Sequence, residues 1–279
     1  MRKSVLEQAM SAQNLNLAWR KLKHQHTPWS PSISRKELDY NLLQHILELR
    51  EHILSGRYRP LPLRRYVMKK ADGKKRIISA QYLQDKLFQR ALLLVLEPRA
   101  EKIFHEDSFG YRPNLGVAKA MHRVRERVKC GQNWLVDADI QQFFDSIPHT
   151  QLKKVLSQFI KDKSVMKIIN RWLKQGAHHQ SFLKSSRGVS QGAVLSPLLC
   201  NLYLHQLDMI LNKANIPFVR FADDFLLFCS TRKEAEKALE FTKKHLDTLG
   251  LNIHPEKTRV VQSHRGVIFL GEKLPKTPY

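Results

Sequence analysis

Phe218-Val219-Arg220-Phe221-Ala222-Asp223-Asp224-Phe225-Leu226-Leu227-Phe228 sets two adjacent carboxylates between two short apolar runs. Each run is rich in aromatic and aliphatic residues and reads as a strand, so the whole stretch reads as a hairpin with acids at its tip. Like charges side by side repel, and the repulsion grows as water is excluded, unless a cation compensates it. A divalent metal is the simplest compensation. A merely solvated acidic tip is the competing reading of the pair taken alone.

A second acidic strand supports the metal. Asn133-Trp134-Leu135-Val136-Asp137-Ala138-Asp139-Ile140 alternates as a half-buried strand does. Strand parity puts Leu135, Asp137 and Asp139 on one face and Trp134, Val136, Ala138 and Ile140 on the other. Gln141-Gln142-Phe143-Phe144-Asp145-Ser146-Ile147-Pro148 breaks the alternation, which leaves Asp139 at the strand's end, where sites are built. The same parity separates Asp223 from Asp224, so one of them meets Asp139 directly and the other lies near by at the turn. Hard oxygen donors without thiol or imidazole suit magnesium, or manganese, rather than zinc. Carboxylates drawn from two distant strands fit two-metal phosphoryl chemistry, with ions roughly 3.5 to 4 Å apart.

With these blocks in view, residues 218–228 resemble the aspartate-pair hairpin of reverse transcriptases, whose usual opening aromatic is Tyr where Phe221 stands here. Other blocks agree in the family's order. Asp139-Ile140-Gln141-Gln142-Phe143-Phe144-Asp145-Ser146-Ile147 resembles the first catalytic strand, and Arg187-Gly188-Val189-Ser190-Gln191-Gly192-Ala193-Val194-Leu195-Ser196-Pro197-Leu198-Leu199 the block lining the nucleotide pocket. Gly250-Leu251-Asn252-Ile253-His254-Pro255-Glu256-Lys257-Thr258 and Phe269-Leu270-Gly271 resemble the last two palm blocks. Upstream, residues 69–76 and Ser108-Phe109-Gly110-Tyr111-Arg112-Pro113 resemble finger blocks of the group II intron-like bacterial branch. The resemblance spans roughly residues 13–274.

It implies an α+β right-hand polymerase fold, with fingers, a palm built on an antiparallel sheet with packed helices, and no evident thumb. Asp139 and Asp223 would hold the metals, with Asp224 a third carboxylate and the Ile140 carbonyl a further ligand. Asp137 has no such family role, and a salt-bridged or solvated acid is its other reading. Phe144 matches the bulky residue that lies under the sugar and excludes a 2′-hydroxyl, the alternative being a plain core aromatic beside Phe143. Lys70, in competition with Lys69, and Arg76 match cations that close on the triphosphate. Gln191 and Gly192 would contact the incoming nucleotide, the glycine letting backbone approach closely. Lys257 matches a position assigned to protonating pyrophosphate, or serves as a phosphate-facing lysine.

The formal net charge of +23, from 48 Lys and Arg against 25 Asp and Glu, makes a polyanion the default partner. No apolar run approaches bilayer length and residues 1–8 lack the apolar centre of a signal peptide, so a cytoplasmic protein without a membrane partner is expected. Cys130, Cys200 and Cys229 are odd in number and widely spaced, indicating neither a disulfide framework nor a zinc knuckle. His178-His179 lacks partners at ligand spacing and reads as a loop contact.

The organisation expected is an N-terminal helical extension over 1–60, fingers over 61–132 and palm over 133–279 with a finger-like insertion at about 150–190. A helix over Glu37–Leu54 is read with Leu38, Leu42, Leu43, Ile46, Leu49, Ile53 and Leu54 on one face, ended by Gly56. Tyr58-Arg59-Pro60-Leu61-Pro62 then runs extended. Helices follow over 84–96 and 116–129, the second offering Arg123 and Arg127, together with Arg112 upstream, to a nucleic-acid backbone; a solvated helix exterior is the plainer reading. Ser196-Pro197 starts a helix, and one over 233–249 is capped by Gly250.

The function expected is RNA-directed DNA polymerisation by a domesticated bacterial enzyme that takes deoxynucleoside triphosphates and makes DNA on an RNA template. With only the residues after Gly271 left for a thumb, a structured non-coding RNA, a partner protein or self-association is expected to replace it, and antiviral defence is the setting this suggests. The rival is a maturase-like factor that keeps the fold to bind and assemble RNA.

Overall fold

The computed structural model describes residues 3–69, 75–177 and 186–274. In chain order its elements are α1 (Val5–Ala9), α2 (Ala12–Arg20), α3 (Arg35–Tyr40), α4 (Leu42–Leu54), β1 (Arg64–Lys69), β2 (Lys75–Ala80), α5 (Leu83–Ala100) and α6 (Val117–Lys129). There follow β3 (Trp134–Asp139), α7 (Phe143–Ser146), α8 (His149–Phe159), α9 (Lys163–Ala177), α10 (Ser196–Lys213), β4 (Phe218–Phe221), β5 (Asp224–Cys229), α11 (Arg232–Thr248), β6 (Arg259–Gln262), β7 (Ile268–Phe269) and β8 (Glu272–Lys273). The chain divides into two compact units, Met1–Lys102 with Leu152–Leu199 and Ile103–Gln151 with Cys200–Tyr279.

In the first unit, serine starts the early helices. Ser4 and Ser34 each accept from the backbone of a glutamate three residues on, and that glutamate's side chain returns a bond to the serine N–H, a capping box in both cases. The single helix expected over 37–54 is two, broken at Asn41, whose φ of −124° is not helical. The break shifts the helical phase, so Leu38, Leu49 and Ile53 are buried while Leu43 and Leu54 stand 71% and 40% exposed. Helix α5 outruns its expected end at Leu96, because Pro98 sits in its last turn and removes one internal bond without stopping it. Buried on several sides through Leu83, Leu87, Phe88, Ala91, Leu92 and Leu96, it is the unit's central helix and packs on α1 and α2.

The extended stretch after α4 is held by side chains. Tyr58 donates its hydroxyl to Asp85 Oδ1 at 2.7 Å and accepts from Trp172 Nε1 at 3.0 Å, while Leu61 N–H donates to Asp85 Oδ2 at 2.9 Å. Arg171 donates to the Tyr58 carbonyl at 2.8 Å. Burial lifts the Asp85 carboxyl from 3.8 to about 6 against the pull of these donors, and pushes the Tyr58 phenol up as well.

The second unit is built on a four-stranded antiparallel sheet of order β4-β5-β3-β6. Leu135, Val219, Leu226 and Phe228 from one sheet face pack with Ala120, Met121, Val124 and Val128 of α6. Helix α11 packs on β3, β5 and β6. The outer edge of β4 is closed by residues 107–109: Arg220 N–H donates to the Asp107 carbonyl at 2.9 Å and Phe109 N–H to the Arg220 carbonyl at 2.8 Å, a parallel bridge centred on Ser108. At the chain's far end Leu270 and Gly271, both with positive φ, make the two-residue turn between β7 and β8 and send Phe269 into the α6 cluster.

Candidate active site

Strand register brings the acids together. Asp139, the last residue of β3, pairs directly with Asp224, the first of β5, and Asp224 pairs with Phe221 across the β4–β5 hairpin. Ala222 and Asp223 form the tip, with Ala222 in the left-handed region at φ 60°. Of the two acids that parity separates, Asp224 is the register partner of Asp139, and Asp223 stands at the turn. The Asp224 carboxyl is pushed up to about 6, first by lost hydration and then by the charges of Asp139 and Asp223, with Lys257 pulling the other way. It still borders solvent, which screens part of that repulsion.

A loop closes on the end of β3 from below. Gln141 N–H donates to the Asn252 carbonyl at 2.8 Å, His254 N–H to the Asp139 carbonyl at 2.7 Å, and Ile140 bridges Ile253. These bonds deliver Lys257, whose ammonium pairs with Asp139 Oδ2. The hydrogen bond to Asp139, followed by the surrounding carboxylates, raises the Lys257 pKa. Asp137 pairs instead with its register partner Arg259, at 3.0 Å, which agrees with a salt-bridged acid. Ile140 itself is buried.

Past β3 the chain turns through Gln142, left-handed at φ 46°, into α7. Phe143 takes the core position, at 2% exposure, and Phe144 stays half-buried with its ring 5.7 Å from that of Phe143. Two adjacent aromatics thus separate into one packing residue and one left facing outward from the core.

The acids offer hard oxygen donors only, which fits a divalent cation. As the side chains stand, no three His, Cys, Asp or Glu among the described residues are gathered tightly enough to enclose an ion, and the ammonium of Lys257 supplies the counter-charge at Asp139.

The support beneath the hairpin was not anticipated from sequence. Arg220, 1% exposed in β4, donates Nε to Asp208 Oδ1 at 2.7 Å and Nη2 to Asp208 Oδ2 at 2.6 Å. It also donates to Ser108 Oγ at 2.7 Å, to Asn201 Oδ1 at 3.1 Å and to the Ala222 carbonyl at 3.0 Å. Asn201 in turn donates to the Gly110 carbonyl at 2.7 Å. A Cβ on Gly110 would lie 2.3 Å from Ala222 N, so only glycine lets this segment pass under the tip. The sequence signal was available: a lone Asp208 in the apolar run of α10 demands a buried cation.

Arg123 and Arg127, read as nucleic-acid contacts, reach the buried Asp107, Arg123 Nε at 3.0 Å from Oδ1 and Arg127 Nη2 at 2.7 Å from Oδ2. Arg112 donates to the carbonyls of His105 and Ser108 and lies over the Phe104 ring, 5.4 Å from its centre. The structure thus gives all three guanidinium groups work inside the second unit. In the first unit, Gln191, half-buried, and Gly192, exposed at φ 96°, form a turn braced by Ser196 Oγ donating to the Ser190 carbonyl at 2.8 Å and by Gln89 Oε1 accepting from Leu195 N–H at 3.0 Å. Lys70 and His178-His179 lie outside the described residues, as does the side chain of Arg76. No helix among the described residues is long and apolar enough to cross a membrane.

Protein YkfC of Escherichia coli K12 is 30% identical over 292 residues, covering 90% of this chain and 77% of that protein. The group II intron-encoded protein LtrA of Lactococcus lactis is 34% identical over 179 residues, covering 63% of this chain but 30% of that one. Among solved structures, telomerase from Candida albicans, in complex with a fragment of telomeric RNA, superposes with a TM-score of 0.60 at 13% identity, over 87% of this chain and 49% of that one, a likeness of fold. Residues 68–274, which carry the acidic hairpin, its supporting network and the loop of Lys257, match the family model described as reverse transcriptase (RNA-dependent DNA polymerase), and over that span the chain belongs to the reverse transcriptase family.

Proposed function

We propose that the protein extends a primer with deoxynucleotides on an RNA template, by phosphoryl transfer at Asp139, Asp223 and Asp224 assisted by magnesium or manganese. The observation that carries this reading is the in-register pairing of Asp139 with Asp224 beside Asp223, fixed from beneath by Arg220. Bound between these carboxylates, divalent cations would lower the cost of ionising the primer hydroxyl and offset charge on the departing pyrophosphate.

The chain's own residues supply the rest. Three carboxylates concentrate negative charge where divalent cations would be held, and such cations would favour the ionised form of Asp224, whose carboxyl is otherwise pushed up to about 6. Lys257, paired with Asp139 and largely exposed, would offer the phosphates a flexible point charge. Phe144, half-exposed on α7, forms the floor under the sugar and disfavours a 2′-hydroxyl. Gln191 and Gly192 offer a side-chain amide and an unobstructed backbone to the nucleotide. Lys70 and Arg76 complete the reading as triphosphate cations.

The test is primer extension by the full chain on an RNA template with magnesium and each labelled deoxynucleotide or ribonucleotide, beside the Asp223→Asn, Asp224→Asn variant. DNA from the wild type alone supports the reading. RNA retention by both proteins with no product from either would put the RNA-assembly role ahead of it.

A further inference from the structure

Helices α8 and α9 border a groove of ≈ 650 Å³ whose lining includes Lys161, Lys163, Lys167, Asn170, Arg171 and Lys174. We propose that this groove docks the phosphate backbone of a structured RNA. The inference deepens the polymerase reading by placing the RNA's folded part on the first unit, and rests on that reading only for the choice of RNA as partner.

The two sides of α9 are sharply different. Val165, Ile168, Ile169, Trp172 and Leu173 are buried, whereas Lys163, Lys167 and Lys174 are exposed. Along the open side, cations recur at 163, 167, 171 and 174, so successive charges rise about 6 Å or less along the helix, a repeat comparable with the phosphates of one strand. From His149 to Ala177 the one acid is Asp162. It is already committed, its carboxylate accepting from the backbone N–H groups of Ser164 at 3.0 Å and of Leu6 at 3.0 Å. Lys163, Lys167 and Lys174 meet no acid among the described residues. Arg171 is held in place by its bond to the Tyr58 carbonyl. Such a row of uncompensated cations in a concave surface is what a polyanion neutralises.

Asn170 narrows the partner. Its Oδ1 is buried without a hydrogen-bond partner, and it is an acceptor. Phosphates only accept, so a DNA backbone satisfies the lysines and leaves Asn170 Oδ1 unmet. A ribose 2′-hydroxyl donates, and a turn of the Asn170 side chain into the groove meets it.

The test measures binding without synthesis. Anisotropy of a labelled hairpin RNA, and of the DNA hairpin of the same sequence, is titrated with the full chain over a salt series. The groove variant Lys163→Ala, Lys167→Ala, Lys174→Ala is set beside Lys233→Ala, Lys237→Ala, Lys244→Ala, which removes the same charge from the exposed side of α11. The groove variant should bind RNA about 10-fold more weakly or worse, with the slope of log affinity against log salt shallower by about 2 to 3, while the α11 variant stays within about 2-fold. Asn170→Ala should weaken RNA and spare DNA. Equal losses from the two triple variants, no loss from the groove variant, or displacement of neither nucleic acid with capture of an acidic peptide instead would overturn the proposal, and so would Asn170→Ala acting alike on RNA and DNA. Extension of a short primer–template by the groove variant at the wild-type rate separates this outcome from failure of the polymerase reading, in which the wild type itself makes no DNA.

Discussion

Arg220 and Asp208 form a two-pronged ion pair with side chains 1% and 0% exposed, directly behind the turn that carries Asp223. Removing one partner leaves the other charged and dry, at a cost of about 3–5 kcal/mol. Asp208→Asn and Arg220→Met should each lower stability by that order in chemical denaturation. The double replacement Arg220→Met, Asp208→Leu should be less destabilised than the sum of single effects, and simple additivity would count against the pair acting as one unit.

Gly110→Ala tests the geometry of the tip with one methyl group. The new Cβ falls 2.3 Å from a backbone nitrogen, so Ala222 must move and Asp223 with it. A displacement on the order of 1 Å at a reacting centre costs about 100-fold in rate. We expect kcat in primer extension to fall by about that factor with RNA affinity unchanged; a wild-type kcat would show that the hairpin does not depend on this contact.

The proposed division of labour, Phe143 for packing and Phe144 for sugar choice, is open to a direct test. Phe143→Ala, at a core position, should cost about 3–5 kcal/mol of stability. Phe144→Ala should leave the fold largely intact and weaken discrimination against ribonucleotides by about 10-fold or more, roughly 1.4 kcal/mol. Single-nucleotide incorporation with matched deoxy- and ribonucleotides reads this, and unchanged selectivity would refute the gate.

Asp85 gives the fold a pH dependence whose sign is fixed by its environment. Its carboxyl titrates from about 6 in the folded protein against 3.8 in a solvated chain, so the folded state binds the proton more tightly. This group therefore favours folding at low pH, and that advantage, at most about 3 kcal/mol, is lost as pH rises from about 4 through about 6. Asp85→Asn keeps the shape and one acceptor for Tyr58 but does not titrate. Its melting temperature should lack the fall that the wild type shows over that window; parallel profiles would dismiss the effect.

The acidic strands were legible in the sequence because parity is a local property. One alternating run and one apolar hairpin put Asp139 at a strand end and split Asp223 from Asp224, and register then joins Asp139 to Asp224. What holds them was not legible, since Ser108, Arg220 and the two α10 residues Asn201 and Asp208 come from three places in the chain and meet only through tertiary packing. Tyr58 and Asp85 escaped notice for the same reason. The helix over 37–54 was overextended because its leucines satisfy a helical period on either side of Asn41, where the backbone in fact breaks. Counting the charges of α6 does not show their partner: Asp107, well upstream in sequence and buried, pairs with Arg123 and Arg127.

The parallel bridge at Ser108 has a consequence for how the molecule behaves in a crowded solution. A short outer strand such as β4 would ordinarily present unpaired N–H and C=O groups on which another chain could template itself. Here the N–H and carbonyl of Arg220 are already taken by Asp107 and Phe109. The segment that lets glycine pass under the acidic tip also blunts that edge, so the strand bearing half of the hairpin offers little foothold for sheet growth from one molecule to the next.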